Sequence, residues 1–197
     1  MGMVLGLTGG IATGKSTVVN IFRAYGFPIV DGDVIAREIV EPKQAGLQAI
    51  VSVFGEDILL DNGQLDRKKL GNIIFSDEEK RRQLDALLDP ILRQTITQRI
   101  RGYREEPLVI ADIPLLFEAH YEDEMDQVAV VYVPEAVQLE RLIRRDDLTK
   151  AQALQRIASQ LSIEEKKQRA DIVFDNQNSL EETKKKVKNW LKAQKFI

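Results

Sequence analysis

The chain has 197 residues, of which 44% are hydrophobic and 30% are charged, and its formal net charge is −3. These values favour a globular protein with one α/β domain and argue against a surface that coats nucleic acid. Cysteine is absent and histidine occurs once, as His120, so disulfides, cysteine nucleophiles and zinc sites with several histidines are excluded.

The first predicted elements are a strand over residues 3–8, a glycine-rich loop and a helix from Thr17 to Tyr25. The loop reads Gly9-Gly10-Ile11-Ala12-Thr13-Gly14-Lys15-Ser16 and fits G-x-x-x-x-G-K-[ST], the phosphate-binding P-loop. In this motif backbone amides bind phosphates, the lysine reaches the β- and γ-phosphates, and the hydroxyl residue binds Mg²⁺. A plain glycine turn would not explain the Lys-Ser pair or the strand–loop–helix order, which directs a helix N-terminus at an anion. The stretch therefore predicts a polyphosphate site.

A second short strand is predicted within residues 27–33, which end in two acids on either side of a glycine. Ligands of open parallel sheets bind beyond the carboxyl ends of the strands. We therefore expect Asp31 and Asp33 at the functional edge of the sheet. A helix that contains Arg37 is predicted to follow over Val34–Val40.

Residues 41–101 carry recurring helical patterns and no further convincing strand. Asp66 is a candidate cap, Ser76-x-x-Glu79 predicts a capping box, and Pro90 predicts a kink or a new helix start. The number of helical residues between these two strands exceeds the length of a single crossover helix. We interpret them as an inserted subdomain that grips a second substrate, and the alternative is a set of helices that only pack.

The third predicted strand, Leu108–Ala111, is followed by Asp112, the apolar run Ile113–Phe117, and Glu118. An acid at the end of a core strand in a P-loop protein resembles the one that holds Mg²⁺. The apolar run either belongs to the core or forms the wall of a pocket.

A fourth strand over 127–133 precedes two predicted helices with a basic junction. Residues 141–160 hold five basic side chains against two acidic ones, and Thr149-x-x-Gln152 is a capping signal for the second helix. Arginines placed here either neutralise a transferring phosphoryl group, as in a lid, or form a solvated face. The spacing does not decide between the two.

Two further capping signals, Ser162-x-x-Glu165 and Ser179-x-x-Glu182, frame the last predicted strand at 170–176. The terminal helix carries six lysines between residues 179 and 197, which we interpret as its solvated face. We find no internal repeat and no interdomain linker.

Five stretches in chain order together resemble the dephospho-CoA kinase family and span nearly the whole chain. They are the P-loop within 7–17, Asp31-Gly32-Asp33 with Ala36-Arg37, the D-x-P-L-L-F-E run at 112–118, Arg156-Ile-x-x-Gln160, and 170–176. The P-loop is shared by many families, whereas the third and fourth stretches are much more specific.

The resemblance implies an α/β fold of the P-loop NTPase type, similar to nucleoside-monophosphate kinases, with five parallel strands flanked by helices. It implies a single domain over 1–197, with its core at 1–33, 107–140 and 168–197, a helical CoA subdomain at about 34–106, and a lid at about 141–167. The implied activity is ATP- and Mg²⁺-dependent phosphorylation of the ribose 3′-hydroxyl of dephospho-CoA, the last step of coenzyme A biosynthesis.

The motif and the resemblance together assign the site residues. The catalytic residues are Asp33, Lys15 and Arg141, and Asp31 remains the alternative base. The ATP-binding residues are Gly10, Ile11, Ala12, Thr13, Gly14, Lys15, Ser16, Thr17 and Asn176. The acceptor-binding residues are Thr8, Asp33, Arg37, Leu115, Phe117 and Gln160, and the metal ligands are Ser16 and Asp112.

The sequence departs from the usual family pattern in three places. Ala12-Thr13 replaces the commoner Gly-Ser, Gly32 replaces the more usual alanine, and Asp89-Pro90 stands where His-Pro is frequent. The first two changes are conservative. The third removes a cation near the acceptor, so we assign no role to Asp89.

Two other functions remain open at this stage. A different small-molecule kinase of the nucleoside-monophosphate type would share the core and use another acceptor. A switch GTPase would require D-x-x-G, which is absent, and [NT]-K-x-D, of which Thr149-Lys150-Ala151-Gln152 lacks the final aspartate.

The N-terminus has no basic segment followed by a long apolar run, and no apolar run reaches the length of a membrane span. We therefore expect a cytoplasmic protein. Its expected partners are the small molecules ATP and dephospho-CoA, with no nucleic acid and no membrane, and its expected state is a monomer or a small homo-oligomer.

Overall fold

Five strands form one parallel sheet in the computed structural model, which describes residues 2–197. The strands are β1 (Met3–Gly9), β2 (Ile29–Asp31), β3 (Leu108–Asp112), β4 (Gln127–Tyr132) and β5 (Ile172–Asp175). The helices are α1 (Lys15–Ala24), α2 (Gly32–Glu38), α3 (Ala45–Phe54), α4 (Arg67–Ser76), α5 (Glu78–Gly102), α6 (Glu135–Asp146), α7 (Lys150–Ala158), α8 (Ile163–Arg169) and α9 (Leu180–Ala193).

The strand order is β2-β3-β1-β4-β5, so β1 lies at the centre of the sheet. It pairs with β3 through Leu5↔Ile110 and with β4 through Leu7↔Ala129. All four of these side chains are buried, as expected for strands of a parallel sheet that is covered on both faces. The five parallel strands and the flanking helices confirm the predicted fold class.

A large cluster of buried apolar side chains joins strands β1, β3, β4 and β5 to helices α1 and α9. Three aromatic rings in this cluster, those of Phe22, Phe174 and Trp190, meet edge to face with centroids 5.9–6.0 Å apart. Such pairs stabilise beyond the area that they bury. The cluster fixes α1 against the sheet and so fixes the helix that follows the P-loop.

The described residues divide into two compact units. One unit consists of the residues up to Asp31 together with Ile100–Ile197, and it contains the whole sheet. The other consists of Gly32–Arg99 and is built from α2, α3, α4 and most of α5. Within its described residues the extended pairing is one isolated antiparallel bridge, Leu59↔Leu65.

The prediction that Ser76 opens α5 is wrong, and so is the alternative that a new helix starts at Pro90, whereas a kink at Pro90 stays a prediction. Ser76 does not open α5, because it is the last residue of α4 and its hydroxyl donates to the carbonyls of Asn72 and Ile73. The carboxylate of Asp77 instead accepts from the first amides of α5. Pro90 lies inside α5, which continues through it to Gly102.

Other capping predictions are confirmed. Asp66 accepts from the amide of Lys69, and Thr149 forms a complete capping box with Gln152. Ser162 and Ser179 likewise accept from amides in the first turns of α8 and α9. In residues 2–197, no helix is both long enough and apolar enough to cross a membrane.

Candidate functional site

The P-loop connects the end of β1 at Gly9 to the start of α1 at Lys15. Gly14 adopts a left-handed φ of 84°, and its carbonyl accepts from the amide of Thr17 at 2.9 Å. A Cβ on Gly14 would lie 2.2 Å from Nδ2 of Asn176, so glycine fits where a side chain would collide. The motif therefore has the loop-to-helix geometry that directs the amides of a helix N-terminus outward.

Two side chains, one from the loop itself and one from the residue after the chain's last strand, hold the backbone of the loop. Thr13 Oγ1 donates to the Gly10 carbonyl at 2.9 Å, and Asn176 Nδ2 donates to the Thr13 carbonyl at 2.8 Å. Thr183 in turn donates to Oδ1 of Asn176 at 2.8 Å. Asn176, predicted to touch ATP, is buried and uses both polar atoms of its amide inside the protein.

Lys15 and Asp112 form an ion pair between the P-loop and the end of β3. Asp112 is buried, and its Cα neighbour in the sheet register is Asp31 at the end of β2. Ser16, next to Lys15, is exposed in the first turn of α1. The structure thus places the three residues with the predicted Mg²⁺ and phosphate roles, Lys15, Ser16 and Asp112, at one edge of the sheet.

The donors at this edge fit a magnesium ion that is bound jointly by protein and nucleotide. Asp112 and Ser16 supply oxygen atoms, the ligand type that Mg²⁺ prefers. Across residues 2–197, no group of three or more histidine, cysteine, aspartate or glutamate side chains is arranged to hold a metal. Phosphate oxygens and water would have to complete the coordination, as is usual for Mg²⁺ in kinases.

The two helices predicted as a lid, α6 and α7, pack on each other and on the P-loop. Their buried side chains Leu142, Ala153 and Ile157 form a small apolar cluster that includes Ile11 and Ala12 of the loop. The lid segment 141–160 is therefore built against the part of the chain that it is predicted to cover.

Polar contacts hold both ends of the lid segment. Arg141 donates to the Asn176 carbonyl at 2.9 Å, and Gln160 Oε1 accepts from the Ile11 amide at 3.0 Å. Gln138 Nε2 donates to the Ile11 carbonyl at 2.7 Å. Gln160, assigned to acceptor binding by the resemblance, thus hydrogen-bonds the P-loop backbone.

Two lid arginines meet at one carboxylate. Asp146 accepts from Nε of Arg145 and from Nη1 of Arg156, each at 2.7 Å. The hydrogen bond from Arg145 is the largest cause that lowers the pKa of Asp146, and the charges of Arg145 and Arg156 add to it. The same hydrogen bond raises the pKa of Arg145.

The segment after β3 divides its side chains between core and surface. Thr8 is buried and donates to the Pro114 carbonyl at 2.8 Å. Phe117 is 2% exposed, and the guanidinium of Arg169 lies 4.6 Å from its ring centroid. Leu115 is 44% exposed. Of these three predicted acceptor residues, Leu115 is the one that presents its side chain to solvent.

Asp33 and Arg37 belong to the helical unit. Strand β2 ends at Asp31, so Asp33 lies in the first turn of α2 rather than at the end of a strand. Arg37 lies in the last turn of the same helix, and both side chains are exposed. An aspartate in a first turn is favoured by the positive end of the helix dipole.

Two residues without a role predicted from the sequence form an ion pair beside the loop, in which the lysine is buried and the glutamate is partly exposed. Lys166 in α8 is 0% exposed, and its Nζ lies 2.8 Å from Oε1 of Glu118. Lys166 stands three residues after the buried Ile163, which is the spacing of one helix face. That spacing was the available signal, but a run of charged residues usually indicates a solvated surface.

Comparisons with known proteins agree on one family. Residues 3–182 match the family model described as dephospho-CoA kinase. The chain is 60% identical over 195 residues to the dephospho-CoA kinase of Enterococcus faecalis, with 98% of each chain covered.

Solved structures are similar to the chain over nearly its full length. The protein TT1252 from Thermus thermophilus superposes with a TM-score of 0.81 at 32% identity, covering 98% of this chain and 97% of that one. The dephospho-CoA kinase from Campylobacter jejuni superposes with a TM-score of 0.77 at 31% identity, covering 98% of this chain and 96% of that one.

Proposed function

The chain belongs to the dephospho-CoA kinase family, and we propose that it transfers the γ-phosphoryl group of ATP to the ribose 3′-hydroxyl of dephospho-CoA. This reaction is the last step of coenzyme A biosynthesis. The observation that carries the proposal is the ion pair between Lys15, the P-loop lysine, and Asp112, the first acid of the family-specific D-x-P-L-L-F-E run. Phosphoryl transfer requires mainly that the reacting groups are positioned and that their charge is stabilised. The P-loop and the end of β3, joined by this ion pair, would supply both.

We assign the ATP phosphates to the backbone amides of residues 10–17 and to the ammonium of Lys15. The positive end of the α1 dipole supports this assignment, since it adds attraction for an anion at the helix start. Arg141 is assigned the role of stabilising the negative charge that develops on the transferring phosphoryl group. Asn176 and Gln160 contribute indirectly, because both hydrogen-bond the loop backbone.

Asp112 and Ser16 would hold Mg²⁺ together with the phosphates. When bound, this ion neutralises charge on the β- and γ-phosphate oxygens. The position of Asp112 supports the assignment, because its buried carboxylate is held beside Lys15, the lysine that is assigned to the same phosphates.

We assign the role of general base to Asp33, whose carboxylate would orient the acceptor hydroxyl and accept its proton. Asp31 remains the competing base, because it ends β2 next to Asp112 in the sheet register. Arg37 and Leu115 are assigned to acceptor binding, and their exposure leaves them accessible. Thr8 and Phe117 are buried, so we assign them to the support of the acceptor site from within the protein.

We propose that the helical subdomain at about 34–106 binds the acceptor and that residues 141–167 act as the lid. The helical unit Gly32–Arg99 supports the first assignment, because it forms a compact unit of its own. The arginines gathered at Asp146 support the second.

The decisive experiment measures ATP consumption with dephospho-CoA as the sole acceptor and identifies the phosphorylated position by mass spectrometry and NMR. We expect 3′-phosphorylation of dephospho-CoA, and no comparable transfer to a panel of nucleoside monophosphates. Preferred transfer to a nucleoside monophosphate would overturn the proposal in favour of another kinase with the same core.

A further inference from the structure

We propose that Lys166 is a positioning residue that holds the P-loop against the segment that carries Asp112. Its Nζ contacts three acceptors: Oε1 of Glu118 at 2.8 Å, the Pro114 carbonyl at 3.3 Å and the Gly9 carbonyl at 3.4 Å. An ammonium has three donors, so each has an acceptor. A buried charge persists only when it is paired and hydrogen-bonded in this way.

The contact with Gly9 fixes the peptide group where the loop leaves β1. A trans peptide is planar, so its carbonyl and its amide point in opposite directions. A hydrogen bond to the Gly9 carbonyl therefore also fixes the direction of the Gly10 amide. This peptide lies between two glycines, which restrict its rotation less than any other residues would.

A side chain at either glycine would force its neighbours to move. A Cβ on Gly9 would lie 2.7 Å from Oγ1 of Thr13, and a Cβ on Gly10 would lie 2.4 Å from Nε2 of Gln138. Tight packing thus requires a flexible dipeptide at the start of the phosphate-binding loop. A contact from outside the loop must then supply the rigidity, and Lys166 makes that contact.

The contact with Pro114 holds the segment that follows Asp112. Pro114 follows Asp112 by two residues, and its carbonyl also accepts from Thr8 at the end of β1. One ammonium thus connects the loop that is assigned to the phosphates with the segment of the acid that is assigned to the metal. Glu118 extends the connection to Leu161 within the proposed lid, because its Oε1 accepts from the Leu161 amide at 3.0 Å.

The inference rests on the proposed function only in that the loop binds a polyphosphate. The test compares Lys166→Met with Lys188→Met, a matched change at an exposed lysine of α9, outside the proposed site. Calorimetry gives Kd for ATP, ADP and AMP, and steady-state kinetics give kcat and the KM for dephospho-CoA. Lys166→Met should lower kcat by roughly a hundredfold, the cost of a small misplacement of reacting groups.

The nucleotide series separates positioning from general stability. Lys166→Met should raise the Kd for ATP and for ADP by about tenfold or more, because the binding of a polyphosphate depends on the aligned loop. The Kd for AMP and the KM for dephospho-CoA should change less than about threefold. Lys188→Met should match the wild type. If Lys166→Met binds ATP as tightly as the wild type, or if its affinities for AMP and ATP fall by the same factor, the inference is wrong.

A second variant addresses misfolding. Lys166→Met leaves Glu118 without its buried cation, whereas Lys166→Met/Glu118→Gln removes both charges and should recover much of the melting temperature. We expect ATP affinity to stay low in the double variant. Recovery of ATP affinity together with the melting temperature would mean that Lys166 only stabilises the fold. A wild type that binds ATP and does not phosphorylate dephospho-CoA would refute the proposed function and leave this comparison intact.

Discussion

Lys15 and Asp112 illustrate which residues of the site the sequence could predict. The P-loop spacing identified Lys15, and a strand pattern that ends in an acid identified Asp112, because both signals depend only on neighbours along the chain. Lys166 and Glu118 are separated by 48 positions. No local spacing connects such residues, so their contact is known only once the fold has brought them together.

Lys15→Ala should reduce turnover by about a hundredfold or more, because the ammonium meets charge that develops on the phosphates. The fold should persist, since Lys15 is partly exposed in the first turn of α1. Turnover with ATP and dephospho-CoA, together with far-UV circular dichroism, checks both statements. Lys188→Ala, an exposed lysine on α9, is the control and should behave as the wild type. Near-normal turnover in Lys15→Ala would contradict the P-loop assignment.

Asp33→Asn keeps the size of the side chain and removes its ability to accept a proton. We expect turnover to fall by roughly a hundredfold or more, the usual scale for a general base, while ATP affinity changes only a few-fold. The measurement is kcat together with the Kd for ATP. Asp31→Asn is the matched variant, and a collapse of its turnover with normal turnover in Asp33→Asn would move the base to Asp31.

At the scale of elements, the first residues of the helices show why several capping predictions were confirmed and why the one at Ser76 was wrong. Thr149, Ser162 and Ser179 each follow a break in the helical pattern, and each caps a helix. Ser76 has the same spacing to a glutamate, but α4 continues as far as this residue. A serine inside a helix donates back to the preceding turn instead of capping the next. Asp77 then takes the capping position.

The lid segment should become less mobile when both substrates bind. Residues 141–160 carry a small apolar cluster and exposed arginines, features of segments with low local stability. Amide hydrogen exchange over this segment should slow when ATP and dephospho-CoA are added together, while exchange over α9 stays the same. Equal exchange over the lid with and without substrates would count against its closure.

Helix α8 is joined to β4 by a contact with a pH-dependent consequence. Tyr132 donates to Oε1 of Glu164 at 2.6 Å, and this hydrogen bond, with burial adding to it, raises the pKa of Tyr132 to about 12. The unfolded chain releases the same proton near pH 10. The folded state therefore holds a proton that the unfolded state has lost between these values, and the contribution of the pair to stability declines there.

Urea denaturation of the wild type and of Tyr132→Phe at pH 9 and pH 11 tests this prediction. The wild type should lose more free energy of unfolding than Tyr132→Phe between the two values, because the variant has no phenol to titrate. Tyr25→Phe, at an exposed tyrosine, is the control and should follow the wild type. Parallel losses in the wild type and in Tyr132→Phe would contradict the assigned pKa.

At the scale of the whole molecule, the sequence predicted the strands and the helical insertion, because continuous apolar runs and helical periodicity are local properties. The parallel direction of all five strands came from the family resemblance. Periodicity gave no information on the strand order β2-β3-β1-β4-β5, which depends on how crossover helices pack on the sheet. The boundaries of the subdomain and the lid remain proposals.

The aromatic cluster should dominate the stability of the sheet-containing unit. Phe174→Ala removes a ring that contacts both Phe22 and Trp190, and we expect it to cost about 3–5 kcal/mol of unfolding free energy. Trp190 is the single tryptophan, so its fluorescence reports urea unfolding without labels. Phe75→Ala, at a ring that is 93% exposed, should change the value by less than about 0.5 kcal/mol. Similar costs for the two variants would contradict the assigned core.

The central position of β1 has a consequence for how the chain reaches its native state. Strand β1 is synthesised well before its partners, since it pairs with β3 from Leu108 onward and with β4 from Gln127 onward. Pairings between distant segments slow folding, because the intervening loop must close before they form. The helical unit depends on nearer contacts and should assemble sooner. During synthesis, the apolar strand beneath the phosphate-binding loop therefore stays without its neighbours for longest, and this interval is when the nascent chain is most exposed to aggregation.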